Sequence, residues 1–272
     1  MIVLRLKNHS GIPLEADCVT PDLFQGKSLS EVGALEVLDG NRKAPLGEFF
    51  EISGEASDGR IQIQGDCSRV KWIGSGMTFG EVHVDGNAGM HSGSAMKGGK
   101  LEIHGNSSDW LGAEMRGGVI HVRGNTGHLC GAAYRGGSKG MRGGTILIEG
   151  NAGNETAAMM RRGLVGIRGN VGDFAGMGMI AGTLVVGGEV GIRTGAEMKR
   201  GTLVFLNHLP KLLPTFRYSC DYRPGFLQLY FSRLKSLGFP IPGSDSQIVW
   251  KRYCGDLLTL GLGEILVPAK AN

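Results

Sequence analysis

The sequence predicts an all-β protein, built as a right-handed β-solenoid of about seven 19-residue coils with small α/β caps at both ends. Three observations support this: glycine is enriched in the middle of the chain, a unit recurs there at a fixed interval, and each unit opens with alternating apolar residues. Most of the 48 glycines lie between Gly59 and Gly201. The 272 residues thus divide into an N-terminal cap (1–58), glycine-rich repeats (59–206) and a C-terminal cap or docking arm (207–272).

Each repeat begins with a glycine and a short strand. Units start at Gly80, Gly99 and Gly118, which are 19 residues apart, and the interval resumes after a seven-residue insertion. The third and fifth positions are apolar, as in a strand with one buried face. Because one short strand cannot bury that face alone, we expect the units to stack about 4.8 Å apart with equivalent positions in columns. One internal column would hold the methionines: Met77, Met96, Met115, Met141, Met160, Met179 and Met198.

A turn follows most of the strands, and it is usually Gly-Asn. Both residue types tolerate the positive φ angles that tight corners need. We therefore assign a structural turn role to five pairs: Gly86 and Asn87, Gly105 and Asn106, Gly124 and Asn125, Gly150 and Asn151, and Gly169 and Asn170. Glycine is missing from two of its usual repeat positions, at Ala157 and Arg162, which puts the shape of that coil in question.

Two outward features are candidate interfaces. Cations follow the methionine column, where like charges at strand spacing would repel each other. They are explained either by an acidic partner along this edge or by long side chains that splay into solvent. The insertion, which starts at Tyr134 and Arg135, is either a partner contact or a spacer loop. The candidate interface residues are Lys97, Arg116, Arg142, Arg161, Lys199, Tyr134 and Arg135.

Another outward column holds His83, Glu102 and His121. In stacked coils the two histidines would lie about 10 Å apart. A zinc ion needs each donor within about 2.1 Å, so it could not bind both. This column is therefore predicted to be a solvated surface ladder.

The flanks are predicted to cap the stack. Residues 2–6 (IVLRL) are typical of a strand, and Ser28 with Glu31 forms a capping-box pattern for a short helix. Residues 224–238 predict an amphipathic helix that Gly238 ends. The last segment is predicted to form a helix and then an apolar strand, EILV.

No motif for chemistry is found. The phosphate-binding loop, the dinucleotide fingerprint, the nucleophile elbow and the HExxH zinc motif are missing, and the five cysteines form no CxxC pair. We therefore predict no catalytic, cofactor-binding or metal-binding residues in this chain. The net charge of +4 is spread out and no apolar run is long enough to span a bilayer, so nucleic-acid and membrane partners are not expected. A cytoplasmic location is expected.

Four segments carry a family resemblance across most of the chain: PLEADCVTPDLFQGKS, VKWIGSGMTFGEVHVDGN, YRGGSKGMRGG and RYSCDYRPGFLQLYFSRLKSLGFPIPG. They resemble the C subunit of formylmethanofuran dehydrogenase, and the last looks like the tail of archaeal, methanogen-type members. The resemblance implies a non-catalytic scaffold subunit in the complex that reduces CO2 with ferredoxin electrons and fixes it as N-formylmethanofuran, the first step of methanogenesis from CO2. The implied partners are a pterin subunit, an amidohydrolase subunit and ferredoxin-like subunits. These would hold the molybdenum- or tungsten-pterin, the zinc and the iron–sulfur clusters.

Other interpretations stay open. The repeat pattern is also similar to the C-terminal solenoid of glutamate synthase. A bacterial formyltransferase/hydrolase complex uses a similar C subunit, from which only the archaeal-looking tail distinguishes this chain. A third interpretation is that the basic column binds the acidic tail of methanofuran. Alanine at Arg116, Arg142 and Arg161 would then raise the KM for methanofuran and leave assembly intact.

Overall fold

The computed structural model describes residues 1–7, 11–241 and 247–269. Within these residues the secondary structure is mostly β, with one sheet of 13 strands and a smaller sheet of four. The large sheet is mostly parallel, because the strands of successive repeats lie side by side and in register. This arrangement is consistent with the predicted solenoid-like stacking.

The N-terminal region continues both sheets. Its first strand pairs in parallel with the first repeat strand and antiparallel with the last strand of the region. The Ser28 hydroxyl accepts from the Glu31 N–H, and the Glu31 carboxylate accepts from the Ser28 N–H, so the predicted capping box is confirmed. The elements are β1 (Ile2–Leu6), β2 (Leu14–Glu15), α1 (Pro21–Phe24), α2 (Leu29–Gly33), β3 (Glu36–Asp39), β4 (Arg42–Pro45), α3 (Leu46–Phe49) and β5 (Phe50–Gly54).

The repeats contribute eight strands to the large sheet and one to the small sheet. Val82 pairs with Leu101, which pairs with Ile120, and all three are fully buried, as the alternation predicts. All seven methionines of the predicted column are also buried. The strands are β6 (Arg60–Gln64), β7 (Val70–Lys71, in the small sheet), β8 (Glu81–Val84), β9 (Lys100–Ile103), β10 (Val119–Val122), β11 (Arg142–Ile148), β12 (Arg162–Ile167), β13 (Thr183–Val186) and β14 (Thr202–Phe205).

A second line of contact joins the coils outside these strands. Single parallel bridges connect equivalent residues of successive coils: Cys67, Ala88, Ser107, Thr126, Ala152, Val171 and Val190. Between this line and the next strand, each coil turns a corner through left-handed residues. Ala157 adopts φ 60° in the column that otherwise holds glycines such as Gly131 and Gly176, so the coil keeps its backbone conformation despite the missing glycine.

The insertion bulges out of one coil without breaking the stack. The Met141 N–H donates to the Gly131 carbonyl at 2.8 Å, and Met141 is buried in the methionine column. Residues 135–139 are exposed, whereas Tyr134 folds back over earlier coils.

The C-terminal region extends the large sheet and covers its outer face. Helix α4 (Leu227–Ser236) ends near Gly238, which has φ 75°, so the predicted helix is confirmed. It packs with Phe239 and Trp250 on outward residues of later repeats, such as Leu147 and Val185, and so forms a second apolar core. The elements are β15 (Arg217–Tyr222), α4 (Leu227–Ser236), β16 (Trp250–Gly255) and β17 (Gly263–Pro268).

The helix predicted before the last strand is wrong. Residues 256–262 form a turn in which the Asp256 carboxylate accepts from the N–H groups of Leu258 and Glu197. Gly261 adopts a left-handed φ of 65°, which further favours a turn over a helix. The final strand β17 is confirmed, and it pairs in parallel with β14.

Candidate functional site

The predicted basic column lies along one edge of the stacked coils. We call Lys97, Arg116, Arg142, Arg161 and Lys199 the basic edge. The Lys97 N–H donates to the Met77 carbonyl at 2.8 Å, and the Arg116 N–H donates to the Met96 carbonyl at 2.7 Å, so these residues occupy equivalent positions of adjacent coils. Arg142 and Arg161 follow on the next two coils, and Ile180 separates them from Lys199.

The charges of the basic edge are largely uncompensated. Arg142 is half-buried and forms an ion pair with Glu114 at 3.5 Å. Lys97, Arg116, Arg161 and Lys199 are exposed, and in the described parts of the chain no carboxylate forms an ion pair with them. The edge can therefore attract anionic groups.

Tyr134 and Arg135 belong to a different cluster. The Tyr134 ring packs near Trp72, His91 and Trp110, and its hydroxyl lies 3.0 Å from His91 Nδ1 and 2.8 Å from Ser94 Oγ. Arg135 forms an ion pair with Glu155 at 3.0 Å. The insertion is thus fastened to the coil corners, and the structure does not join it to the basic edge.

The aromatic cluster is a stack of corner residues. The His91 ring lies between Trp72 and Trp110, with centroids 4.3 and 5.4 Å away. Burial lowers the pKa of His91, because a charged imidazole would be desolvated there. Sequence reasoning missed this stack, although the three residues are spaced 19 apart.

The ten predicted turn residues do not adopt the positive φ on which the prediction is based, so that part of it is wrong. The glycines are needed for close contact instead: a Cβ on Gly105 would lie 2.7 Å from the carbonyl oxygen of the equivalent glycine one coil earlier.

The asparagines join the coils through their side chains. The Asn87 Oδ1 accepts from the Asn106 N–H at 2.8 Å, and the Asn106 Oδ1 accepts from the Asn125 N–H at 2.8 Å. The series continues through Asn151 and Asn170. Each asparagine therefore satisfies a backbone donor of the next coil.

Sequence reasoning missed a second ladder of the same kind. The Asp109 Oδ1 accepts from the His128 N–H at 2.7 Å, His128 Nδ1 accepts from the Asn154 N–H at 2.9 Å, and the Asn154 Oδ1 accepts from the Asp173 N–H at 2.9 Å. The 19-residue register was the only available signal, because the residue types differ from coil to coil.

The histidine column departs from the predicted surface ladder. His121 is 3% exposed, its Nε2 lies 2.9 Å from Glu149, and its ring meets Phe239 edge-on. The expectation of a fully solvated column is therefore wrong at His121, because the C-terminal region covers it, and at Glu102, which is 7% exposed. Burial lowers the pKa of His121 and outweighs the opposing hydrogen bond to Glu149.

His83, Glu102 and His104 are close enough to suggest a metal site, since their donor atoms lie within 4.8 Å of one another. However, Glu102 already accepts from Lys100 and Arg123, both at 2.7 Å. Burial raises the pKa of Glu102, but these two hydrogen bonds outweigh it and lower the pKa to about 2. A divalent cation here would have to displace two positive charges, so the cluster is better suited to an ion-pair network.

The three buried cysteine thiols are expected to be unreactive. Burial raises the pKa of Cys18, Cys67 and Cys130 to about 12. Because the thiolate is the reactive form, these groups are poor nucleophiles and poor metal ligands at neutral pH.

The helices of the described residues are all too short or too polar to span a bilayer.

Comparison with known proteins gives partial matches in sequence and a match over nearly the full chain in structure. No family model matches the chain. It is 51% identical over 92 residues to the C subunit of the molybdenum-containing formylmethanofuran dehydrogenase 1 of Methanothermobacter marburgensis. It is 44% identical over 96 residues to the C subunit of the tungsten-containing formylmethanofuran dehydrogenase 2 of Methanothermobacter thermautotrophicus. These matches cover 34% of this chain, and 23% and 36% of those relatives.

A solved structure matches far more of the chain. A chain in the crystal structure of the formyltransferase/hydrolase complex (FhcABCD) from Methylorubrum extorquens, in complex with methylofuran, superposes with a TM-score of 0.91. The sequences are 35% identical, and the match covers 98% of this chain and 99% of that chain. The likeness thus includes the repeats and both flanking regions.

Proposed function

We propose that this chain, which belongs to the family of formylmethanofuran dehydrogenase C subunits, is a non-catalytic scaffold that holds the catalytic subunits of such a complex together. The observation that carries the proposal is the match over nearly the whole chain to one chain of a multisubunit complex. The two regions that flank the repeats are part of that match, so we expect them to serve the same role as in the relative.

We infer that the coils wind as a right-handed solenoid. Parallel strands joined by a crossover are right-handed in about 98% of cases. With coils about 4.8 Å apart, seven of them give a stack about 35 Å long. Such a stack is suited to a scaffold, because backbone bonds and side-chain ladders fix each coil to the next.

The chemistry is proposed to lie in partner subunits. The family implies a pterin subunit that reduces CO2, an amidohydrolase subunit with zinc, and ferredoxin-like subunits with iron–sulfur clusters. Two buried titratable groups have structural partners instead: His121 binds Glu149, and Glu102 binds Lys100 and Arg123.

One contact surface for a partner subunit is proposed at the C-terminal end of the stack. We call residues 256–262 the leucine loop. It lies on the last coil, where the Asp256 N–H and the Thr259 hydroxyl donate to the Met198 carbonyl. Leu257, Leu258, Leu260 and Leu262 are all more than half exposed, with Leu258 at 81%. Adjacent exposed leucines are typical of protein–protein contact sites.

The test is purification of the native complex through a tag on this chain, followed by identification of the bound subunits and metal analysis. We expect stoichiometric partner subunits and enzymatic activity in the complex, and no activity in the isolated chain. Turnover by the isolated chain, or the absence of any stoichiometric partner, would contradict the proposal.

A second candidate is a subunit of a formyltransferase/hydrolase complex. It is favoured by the structural match, which covers 98% of the chain, whereas the dehydrogenase relatives match about a third of it. The metal analysis separates the two candidates. Molybdenum or tungsten in the purified complex supports a dehydrogenase, and zinc without either metal supports a hydrolase.

A further inference from the structure

We propose that the basic edge, extended by Arg162 and Arg233, binds an acidic segment of a partner subunit. This inference rests on the proposed scaffold function and deepens it, because it states which chemistry the partner presents. It concerns residues that the repeat pattern does not explain.

The first observation is an open surface groove between α4 and the edge of the coils. It has a volume of about 400 Å³. The side chains of Arg162, Tyr230 and Arg233 line it, together with glycines such as Gly163 and Gly182. Two guanidinium groups line it, and no carboxylate does. In the described parts of the chain neither arginine forms an ion pair, and both are exposed, so both can donate hydrogen bonds to an outside carboxylate.

The second observation is the register of the strands at this point. Arg142 of β11 pairs directly with Arg162 of β12, so two arginines stand side by side on neighbouring coils. Like charges directly opposite each other are destabilising. Glu114 pairs with Arg142 at 3.5 Å, so it compensates only one of the two charges. The repulsion is relieved if a carboxylate of a partner binds between the two side chains.

The third observation is that Arg162 is not required by the fold. Equivalent positions in other coils hold glycine at Gly117, alanine at Ala181 and a second arginine at Arg200. A charged side chain has therefore been placed where a small residue is sufficient. Together with the neighbouring residues of the basic edge, Arg162 forms one positively charged strip.

The length of the strip favours a polypeptide over a single small anion. Lys97, Arg116, Arg142 and Arg161 lie on four successive coils, each about 4.8 Å from the next. A single phosphate or carboxylate reaches only one or two of these cations. A peptide with several Asp or Glu residues can place a carboxylate at each of them, and a helix does so with a pitch of 5.4 Å.

The experiment uses this chain co-expressed with the proposed partner subunits of the complex. The test variant carries Arg116→Gln, Arg161→Gln, Arg162→Gln and Arg233→Gln. The matched control carries Lys27→Gln, Lys211→Gln, Lys251→Gln and Arg217→Gln, which removes the same charge from half-buried Lys27 and from three exposed sites elsewhere. We expect the affinity for the partner subunits to fall at least tenfold in the test variant only, and its dependence on salt concentration to become weaker.

A crosslink identifies the chemistry of the partner. With p-benzoylphenylalanine in place of Lys97, we expect a crosslinked partner peptide that contains at least three Asp or Glu residues. Arg142 is left unchanged so that Glu114 keeps its ion pair, and thermal unfolding of each variant verifies that it folds.

The outcomes separate the two proposals. If the wild-type chain binds no co-expressed subunit, the scaffold function is wrong. If it does bind, but the test and control variants behave alike, or the crosslinked peptide is apolar, the inference about the basic edge is overturned. It is also overturned if 10 mM inorganic phosphate or a single-stranded oligonucleotide replaces the partner at this edge with equal affinity.

Discussion

At the scale of single residues, one position often serves two coils. Each turn asparagine belongs to one coil, and its Oδ1 accepts a hydrogen bond from the N–H of the equivalent residue one coil later. A backbone donor that the strands leave unpaired is satisfied in this way. The same register lets Asp109 and His128 do the same work at another corner.

Asn125→Ala should lower the free energy of unfolding by about 1 kcal/mol, because the Asn151 N–H loses its acceptor and only partly regains one from water. Asn125→Asp should cost less, since the acceptor remains. Chemical denaturation of the two variants measures this difference, and equal losses would contradict an acceptor role.

The cysteines should fall into two classes. Cys18, Cys67 and Cys130 are buried with their pKa raised, whereas Cys220 and Cys254 are partly exposed. Alkylation of the folded protein at pH 8, read by mass spectrometry, should modify only the last two residues within minutes. Rapid labelling of Cys130 in folded protein would be the contrary result, and urea-unfolded protein serves as the control.

At the scale of elements, the outer face of the large sheet changes character along the stack. His83, Glu102 and His121 occupy the outward column in early coils, and Leu147 continues it. Gly166 follows, and a Cβ there would crowd Leu234 and Phe239. The C-terminal helix therefore covers the later coils, where the outward column is apolar and the missing side chain of Gly166 leaves space for the helix.

Stability should depend on pH through His121. Its folded pKa lies below the ordinary value of about 6.5, so the unfolded state binds more protons as the pH falls. The free energy of unfolding should therefore decrease as the pH drops below about 6.5. Denaturation between pH 5 and 7 measures this slope, and His121→Gln, whose amide can still donate to Glu149, should flatten it.

His91 also has a lowered pKa, so part of the slope should remain in that variant. Glu102 acts in a separate range: its pKa is lowered to about 2, so its contribution is lost only below about pH 4.5. An unchanged slope in His121→Gln would show that His121 is not the group that titrates.

Close contact between coils should make Gly117 intolerant of a side chain. A Cβ there would overlap the carbonyl oxygen of Lys97. Gly117→Ala should therefore cost about 1–3 kcal/mol, as is typical of overpacking. Arg162→Gly, which restores glycine at the equivalent position of a later coil, is the matched control and should change stability by less than 1 kcal/mol. Thermal unfolding compares the two variants.

At the scale of the whole molecule, the stack was predictable and its covering was not. Glycine spacing and apolar alternation predict parallel coils, because every repeat must bury the same face. The fold of residues 256–262 was mispredicted, since the side chain of Asp256 binds backbone groups of that turn and of the last coil, far away in sequence. Tyr134 likewise bonds to His91, 43 residues earlier, and no local pattern indicates this contact.

The leucine loop should matter for assembly and not for folding. Leu257→Ser combined with Leu258→Ser and Leu260→Ser should shift the Tm of the isolated chain by less than about 2 °C, because all three side chains are more than half exposed. Partner subunits should dissociate more readily in gel filtration. Leu229→Ser, on the exposed side of α4, is the control that should leave the complex intact.

Both ends of the large sheet are antiparallel pairs, with β5 at one end and the β15–β16 pair at the other. Parallel coils that stopped without them would offer a bare row of N–H and C=O groups, and a second copy could continue the row indefinitely. The outermost strands, β5 and β15, still have one unpaired edge, but they carry exposed charged residues such as Glu51 and Asp221, which are typical of edges protected against further pairing. A chain cut after β14 would be an open-ended seed for filaments, which shows why a repeat built so readily must also be terminated.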